Sequence, residues 1–402
     1  MLGLAGQSKA AAGAKPLHRI LVVGVGGGGC NAVGHFVTSW TDGPEVVAVN
    51  TDTKSLASCG VTRRIQIGSA LTRGLSTGGN AAVGKLAAED DADVFRELLT
   101  GVDLLFLVVA LGGGTGTGAA PVLARLAREA DALIICFATM PFDFEGEPKK
   151  RQAEEGLHAL KDEADVVICM PNQRLLELAA DQTSLVSIFK KADEMVGVSI
   201  RAIWKLLVQT GLINLSFADV RNLVENSGGM CAFGYGEGFG PDKADMAIAA
   251  MLNSPIIDRG NVLAKTGGLL VNITGGTDLT LMEVQKVMAQ LTDALPRGAR
   301  VFMGAAIDET WQSKLAVTIL AAENWQERAA AKETSAGDTA ESERATSPSN
   351  GGKSRNREVQ ASLPFDPPER SRFQGVDPTL YEGEDLDIPT FVRRGIKIAA
   401  DR

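Results

Sequence analysis

Nearly continuous hydrophobic runs alternate with amphipathic stretches of helix length between His18 and about residue 172. The hydrophobic runs occupy residues 19–24, 45–52, 104–113, 132–141 and 165–172, and each ends in Gly, Pro, Asn or Asp. Such runs are typical of parallel strands that are buried on both faces. The pattern therefore predicts an α/β domain in which helices cover both faces of a parallel sheet.

A second pattern begins after residue 182. From Thr183 to Gln209 there is no proline and one glycine, and apolar residues recur every three or four positions. This predicts a central helix about 40 Å long. Beyond it, helical stretches are followed by three strand-like runs at 268–276, 300–308 and 314–322. They predict a smaller α+β domain.

The composition changes sharply after Trp325, where Ala, Ser, Glu, Arg, Gly and Pro dominate. Such a composition predicts a disordered linker, which ends before a motif-like terminal peptide. The predicted divisions are a flexible N-terminus (1–17), an α/β domain (18–182), a central helix with the segment after it (183–216), a smaller domain (217–325), a linker (326–380) and a peptide (381–402).

Charge and cysteine content narrow the possible functions. The 402 residues carry a formal net charge of −9, which argues against a general nucleic-acid binder. The five cysteines form no C-x-x-C pair and no zinc spacing, so we expect neither a disulfide framework nor a metal held by protein side chains. The longest apolar runs are about eight residues, too short for a transmembrane helix, and no signal peptide is predicted.

Glycine is the unusual component, with 45 residues concentrated in a few short segments. Gly24 to Gly29 follows the first predicted strand and satisfies G-x-G-x-x-G before a helix expected through Asn31. Leu111 to Pro121 follows the third strand and holds five glycines and two threonines within seven residues. Backbone N–H groups in such loops bind phosphate, and two loops imply a nucleotide held from two sides. The lysine of a Walker A loop is absent, so the chain is not a P-loop ATPase.

These segments, with NTDTKSL, PFDFEGE, MPNQRLL, GLINLSFADVRNLVENSG and GLLVNITGGTDL, resemble the FtsZ family of bacterial tubulin homologues. The matching stretches lie in order across residues 18 to 323. The resemblance implies a GTPase that polymerises head to tail into the cell-division ring, in the cytoplasm beneath the inner membrane. It implies GTP as substrate, with Mg²⁺ and a monovalent cation, and a GTPase site completed by the neighbouring subunit.

The resemblance also assigns residues to the phosphates. The first loop contributes Gly27, Gly28, Gly29, Cys30 and Asn31, and the signature loop contributes Gly113, Gly114, Thr115, Gly116, Thr117 and Gly118. At Cys30, where many relatives have glycine, either the backbone N–H contacts phosphate or the thiol is simply buried. Asn50 and Asp52 are expected to touch phosphate or Mg²⁺, or else to form the turn that ends their strand.

The ribose and the base have their own expected contacts. Glu145 matches the carboxylate that accepts from the ribose hydroxyls, and Lys149 stands where the family has arginine, with Lys150 and Arg151 following. A lysine keeps the charge but loses the planar fork. The residues implied to contact guanine are Asn172 and Glu194, with Asp193 as the alternative carboxylate, and Phe189 stacking on the base.

Residues 211–220 resemble the segment that enters the nucleotide site of the next subunit. Asp219 matches its principal carboxylate and Asn214 the asparagine that lines the site. Ser216 departs from the family, which usually has a second Asp there. Since phosphoryl transfer depends on positioning and charge neutralisation, we expect hydrolysis to be retained but either slower or more dependent on cations.

The terminal peptide has an apolar cluster between an acidic run and a basic end. The resemblance implies that it docks into membrane-tethered division adaptors through Asp387, Ile388, Pro389, Phe391, Val392 and Arg393. The basic residues Arg393, Arg394, Lys397 and Arg402 are also candidates for contact with anionic lipid.

Two other functions stay open. An FtsZ-like scaffold that binds GTP but scarcely hydrolyses it is motivated by Ser216. An NAD-dependent oxidoreductase is compatible with the first glycine loop alone, but it gives no role to residues 111–118 or 211–220.

Overall fold

Six parallel strands form the first sheet of the computed structural model. The structure describes residues 18–38, 40, 42–176, 184–208, 211–254, 257, 260–322, 380–381 and 384–385. The strands are β1 (Ile20–Val25), β2 (Glu45–Asn50), β3 (Arg63–Gln66), β4 (Leu104–Ala110), β5 (Leu133–Met140) and β6 (Val166–Pro171). Their order is β3-β2-β1-β4-β5-β6, so the direction of winding reverses between β1 and β4.

Helices cover both faces of this sheet because its central strands are apolar on both sides. They are α1 (Gly26–Val37), α2 (Thr53–Ser58), α3 (Ser69–Thr72), α4 (Ala81–Asp90), α5 (Ala92–Leu99), α6 (Gly114–Glu129), α7 (Glu147–Glu163) and α8 (Gln173–Leu176). Alternate residues of β1 enter different cores: Val22 packs with Phe36 of α1, whereas Leu21 packs with Leu123 of α6. The predicted parallel sheet with helices on both faces is confirmed.

The predicted central helix is α9 (Leu185–Val208), which at about 1.5 Å per residue is some 36 Å long. Val196 and Ile200 of α9 lie in one core with Ile168 of β6 and Phe233 of the second sheet. The helix therefore packs on both sheets. It is followed by α10 (Phe217–Glu225).

The second sheet has four strands in the order β7-β10-β8-β9, with β8 and β9 parallel and β10 antiparallel to its neighbours. These strands are β7 (Cys231–Phe239), β8 (Gly268–Gly275), β9 (Arg300–Ile307) and β10 (Lys314–Ala322). The helices α11 (Lys243–Leu252) and α12 (Leu281–Asp293) pack on one face. The predicted smaller α+β domain is confirmed, with one more strand than the sequence indicated.

Three details differ from expectation. Strands β3 and β7 were not predicted: β3 reads RRIQ, and β7 has glycine at every second position from Gly234 to Gly238. A side chain on Gly236 or Gly238 would collide with the backbone of α11 at Ala247 or Lys243, and one on Gly234 would collide with Ile257. The first helix begins at Gly26 rather than near Asn31, so the glycine run forms its first turn.

The remaining described residues form a second compact unit, in which β11 (Leu380–Tyr381) and β12 (Glu384–Asp385) pair antiparallel. The predictions of a flexible N-terminus, of a disordered linker over most of 326–380, and of the docking residues Asp387 to Arg393 concern positions outside the described residues. The predicted domain boundaries stay predictions. No helix among the described residues is long and apolar enough to cross a membrane.

Candidate functional site

A cavity of about 700 Å³ opens where the first sheet reverses its winding. Ala110 at the end of β4 and Thr139 and Met140 of β5 lie in its wall, beside residues of α1 and α6. In doubly wound sheets this is the position at which ligands bind. The volume lies within the ordinary range for small-molecule sites.

The N-terminus of α1 approaches the cavity more closely than a side chain would allow. Gly26 has a φ of +74°, and a Cβ there would lie 2.6 Å from the backbone nitrogen of Gly116. A Cβ on Gly28 would overlap the side chain of Ala110. Glycine at these positions brings the helix N-terminus against the signature loop, and Gly27 and Gly28 line the cavity.

The N-terminus of α6 faces the same cavity through residues 113–116. Just before this helix, both the N–H and the carbonyl of Gly112 make hydrogen bonds. Its N–H donates to Thr117 Oγ1 at 2.9 Å, and its carbonyl accepts from Gln152 Nε2 at 3.1 Å. The first N–H groups of a helix have no partner within that helix, and two such helix N-termini converge on this one space, an arrangement suited to an anion.

Three threonine hydroxyls lie beside this loop. Thr115 Oγ1 is 3.0 Å from Thr51 Oγ1 and 3.5 Å from Thr77 Oγ1. Thr51 is fully buried, whereas Thr115 and Thr77 line the cavity. The network orients the Thr115 hydroxyl at the place where phosphate oxygens are expected.

Asn50 and Asp52 also line the cavity, but their side chains are partly engaged. Asn50 Oδ1 accepts from the N–H of Thr51 at 2.9 Å. Asp52 Oδ1 accepts from the N–H groups of Lys54 and Ser55 at 2.9 and 3.1 Å and so caps α2. The described residues contain no group of three or more His, Cys, Asp or Glu side chains that could hold a metal ion. Asp52 Oδ2 therefore fits Mg²⁺ only together with the oxygens of a bound phosphate chain.

Glu145 lies at the cavity wall with both carboxylate oxygens in contact with the protein. Oε1 accepts from the N–H of Phe142 at 2.8 Å, and Oε2 pairs with the ammonium of Lys149. Lys149 also lines the cavity, and Lys150 pairs with Asp143 at 3.7 Å. Of the two lysines, only Lys149 lies at the site.

Asn172 presents a buried hydrogen-bond acceptor to the cavity. It is 7% exposed and lines the cavity, and its Oδ1 has no hydrogen-bond partner. A buried acceptor without a partner costs about 1–3 kcal/mol. A ligand that brings an N–H or O–H donor to Oδ1 would remove that cost.

Aromatic side chains form the adjoining wall. Phe189 of α9 lines the cavity, and its ring stands edge-on to Phe142 at a centroid distance of 5.2 Å. Phe142 in turn stacks on Phe144 at 5.0 Å. Phe189 is 39% exposed. Its free face can therefore receive a flat ring.

Several of the expected residues are not part of the cavity lining. Gly29 packs against the carbonyl of Val108, and Gly118 against that of Ala81. The buried Cys30 thiol donates to the carbonyls of Val49 and Gly24 at 3.3 and 3.5 Å, and burial raises its pKa to about 12. The remaining residues outside the lining are Asn31, Thr117, Asp193 and Glu194.

The two candidate carboxylates of α9 have different surroundings. Asp193 lies one helical turn after Phe189 and bonds to His35 of α1, with 16% of its side chain exposed. Glu194 is 59% exposed and pairs with Lys190 at 3.9 Å. Asp193 therefore shares a helix face with Phe189, and Glu194 does not.

The segment expected to serve a neighbouring subunit does not line the cavity. Asn214 Oδ1 accepts from the N–H of Gly211 at 2.6 Å. Ser216 is the N-cap of α10: its N–H and hydroxyl both donate to Asp219 Oδ2, at 2.8 and 2.7 Å. The hydroxyl accepts from the N–H of Asp219 at 3.2 Å, which completes a capping box.

Sequence reasoning missed several polar residues that line the cavity, namely Ser55, Ser76, Thr77, Thr139 and Gln152. Ser76 and Thr77 directly precede Gly78 and Gly79, both of which have positive φ. Hydroxyls beside a glycine pair were a signal that could have been used. Gln152 lies within a helix, and its sequence gives no such signal.

A parallel sheet of this order, with two glycine-rich helix N-termini facing one cavity, defines a nucleotide-binding α/β protein. Residues 19–180 match the Tubulin/FtsZ family, GTPase domain, and residues 229–324 match the FtsZ family, C-terminal domain. The chain belongs to the FtsZ family of cell-division proteins and carries its GTPase domain.

Relatives of known name agree with this placement. The chain is 41% identical over 301 residues to cell division protein FtsZ 1 of Archaeoglobus fulgidus, which covers 75% of this chain and 81% of the relative. It is 39% identical over 302 residues to cell division protein FtsZ of Pseudomonas putida, covering 75% of each. The solved empty FtsZ dimer of M. jannaschii aligns with a TM-score of 0.69 at 35% identity, over 76% of this chain and 88% of that one.

Proposed function

We propose that this chain binds GTP in the cavity and hydrolyses it after assembling head to tail into filaments that form the cell-division ring. The observation that carries the proposal is the separation of the two half-sites. The phosphate-binding helix ends lie at the cavity, whereas Asn214, Ser216 and Asp219 do not line it. A site divided in this way is completed when a second copy presents residues 211–219, so hydrolysis requires assembly.

Exposed apolar side chains support such contacts between copies. Leu75 is next to the cavity residue Ser76 and is 66% exposed, while Leu212, within the segment 211–219, is 75% exposed. Burying such side chains favours association. A contact that joins two different surfaces without closing produces a filament.

The contacts available in the cavity, together with a carboxylate next to it, favour guanine. The free Oδ1 of Asn172 accepts a donor from the base or ribose, and Phe189 offers a face for stacking. Asp193 is the better placed of the two carboxylates to accept from the N1–H and the 2-amino group, because it shares the face of Phe189. Asp52, with the phosphate oxygens, would hold the Mg²⁺ that neutralises charge during transfer.

The location and the partners complete this proposal. We assign the filament to the cytoplasm, at the division site beneath the inner membrane. Residues 381–402 would attach it to membrane-tethered adaptors, an assignment that rests on the sequence of that peptide.

The experiment that tests the function combines sedimentation with phosphate release on the full-length chain. With GTP and Mg²⁺, the protein should sediment and release phosphate, and the rate per subunit should rise with protein concentration. With GDP it should remain in the supernatant. Binding of NAD together with indifference to GTP would favour the oxidoreductase, and sedimentation without phosphate release would favour the scaffold.

Stacking of the base on Phe189 predicts a modest change in GTP affinity when the ring is removed. Phe189→Leu should weaken GTP binding by about 2–10-fold, since an aromatic contact contributes about 0.5–1.5 kcal/mol beyond burial. Titration of a fluorescent GTP analogue under non-assembling conditions measures the change. Phe239→Leu removes an aromatic ring that is also exposed, at 52% against 39% for Phe189, from the second sheet and should leave affinity unchanged. Equal affinities for all three proteins would show that Phe189 does not stack on the base.

A further inference from the structure

A short polar contact joins the helix of the phosphate loop to the helix of the base-stacking residue. His35 Nδ1 of α1 lies 2.6 Å from Asp193 Oδ2 of α9. The Asp193 side chain is only 16% exposed, whereas that of His35 is 53% exposed. Since the carboxylate is largely withdrawn from water, its orientation depends on this partner.

The contact lies one helical turn from an expected phosphate contact on α1 and from the expected base-stacking residue on α9. On α1, His35 follows Asn31 by four residues, and on α9, Asp193 follows Phe189 by four residues. Immediately beyond, the helices touch directly, because a Cβ on Gly197 would lie 2.5 Å from the Cβ of Phe36. The close approach of the helices fixes the position of the pair relative to the cavity.

We propose that His35 is a positioning residue that holds Asp193 in the orientation from which this carboxylate reads the guanine base. The inference rests on the proposed function, since it assumes that GTP occupies the cavity. His35 uses Oδ2 of Asp193, and among the described residues no donor is bonded to Oδ1. One oxygen is thereby fixed and the other stays available to the base.

His35 also affects the pKa of the Asp193 carboxyl. Burial raises the pKa of Asp193, the hydrogen bond and charge of His35 lower it, and the adjacent charge of Glu194 raises it. Those are the ionisable groups that act on it, one from α1 and one from α9 itself. Without His35, Asp193 becomes protonated at a higher pH. A protonated carboxyl accepts less well from guanine, so GTP affinity would begin to fall at a higher pH as the solution is acidified.

The test compares GTP with inosine triphosphate, which lacks the 2-amino group of guanine, between pH 5.5 and 7.5. We expect the wild-type protein to prefer GTP by about tenfold, the value of one hydrogen bond to a charged group. His35→Ala should lose most of that preference, and the loss should begin at a higher pH than in the wild type. His35→Gln retains a donor but no charge, so it should keep the preference at pH 7.5 and lose it on acidification.

His158→Ala is the matched control, because it removes an exposed histidine from α7. It should leave both the preference and its pH profile unchanged. An unchanged GTP preference and pH profile in His35→Ala would overturn the proposal. So would equal weakening of both nucleotides at every pH, which would mean that His35 only supports the packing of α1. A wild-type protein that binds neither nucleotide would instead refute the proposed function.

Discussion

Replacing Asp219 with alanine is expected to lower GTP turnover by about 10²–10³-fold while GTP-dependent sedimentation persists. The magnitude is that of removing one preorganised electrostatic group from a reacting site. Asp219 is placed for this role at the start of α10, where Oδ2 is fixed by the N–H and the hydroxyl of Ser216. Phosphate release, normalised to the sedimented fraction, measures the effect.

The Asp219→Ala substitution also removes the capping box of α10, so its effect on stability must be distinguished from its effect on hydrolysis. Removing the Asp219 acceptor should destabilise the protein by about 0.5–2 kcal/mol, which a thermal melt detects. Asp219→Asn retains an acceptor for the cap but not the charge, so it should lose hydrolysis with a smaller change in melting temperature. Glu225→Ala removes a carboxylate from the other end of α10 and should hydrolyse GTP normally. Normal turnover in Asp219→Ala would remove this residue from the catalytic mechanism.

Ser216→Asp should raise GTP turnover by about tenfold or more. Ser216 now donates two hydrogen bonds to Asp219 Oδ2. An aspartate would still cap α10 by accepting from the N–H of Asp219, but it has no hydroxyl proton to donate. It would add a second carboxylate for the attacking water and cation, and repulsion would favour movement of Asp219 away from the cap.

Thr280→Asp makes a similar change in another capping box and serves as the control. Thr280 donates through its N–H and hydroxyl to Glu283 Oε2 at 2.8 and 2.9 Å, as Ser216 does to Asp219. This variant should change stability without raising the GTP turnover per sedimented subunit. An unchanged rate in Ser216→Asp would count against the idea that Ser216 slows this enzyme.

The sequence predicted those elements whose pattern is strong and local. The five apolar runs became β1, β2, β4, β5 and β6, and the 3.6-residue periodicity after Thr183 became α9. It did not predict β3, because RRIQ forms an edge strand with little apolar content. Nor did it predict the helical start at Gly26, since an isolated glycine run favours a loop, and contact with the signature loop determines the backbone there.

Some functional residues could be predicted from the sequence, and others could not. The glycines of both phosphate loops carry a signal in their spacing. Asn50 ends β2, and Asp52, Glu145 and Asn172 come after strands, at the expected edge of the sheet. The residues that contact them carry no such signal in the sequence. His35 meets Asp193 across 158 positions, and only tertiary packing brings them together. The same holds for Gln152, which reaches Gly112 from a neighbouring helix.

The bare glycine face of β7 has a mechanical consequence. At Gly234, Gly236 and Gly238 no side chain separates the strand from its surroundings, and the backbone of α11 rests directly on the last two. Ordinary helix–sheet contacts yield slightly because side chains change rotamer, but backbone pressed on backbone has no such compliance. We therefore expect a displacement of α11 to move β7 with it, and, through the paired backbones of β7 and β10, to move β10 as well. If the subunits form a filament, we expect the region of α11, β7 and β10 to deform little when the filament is bent or stretched.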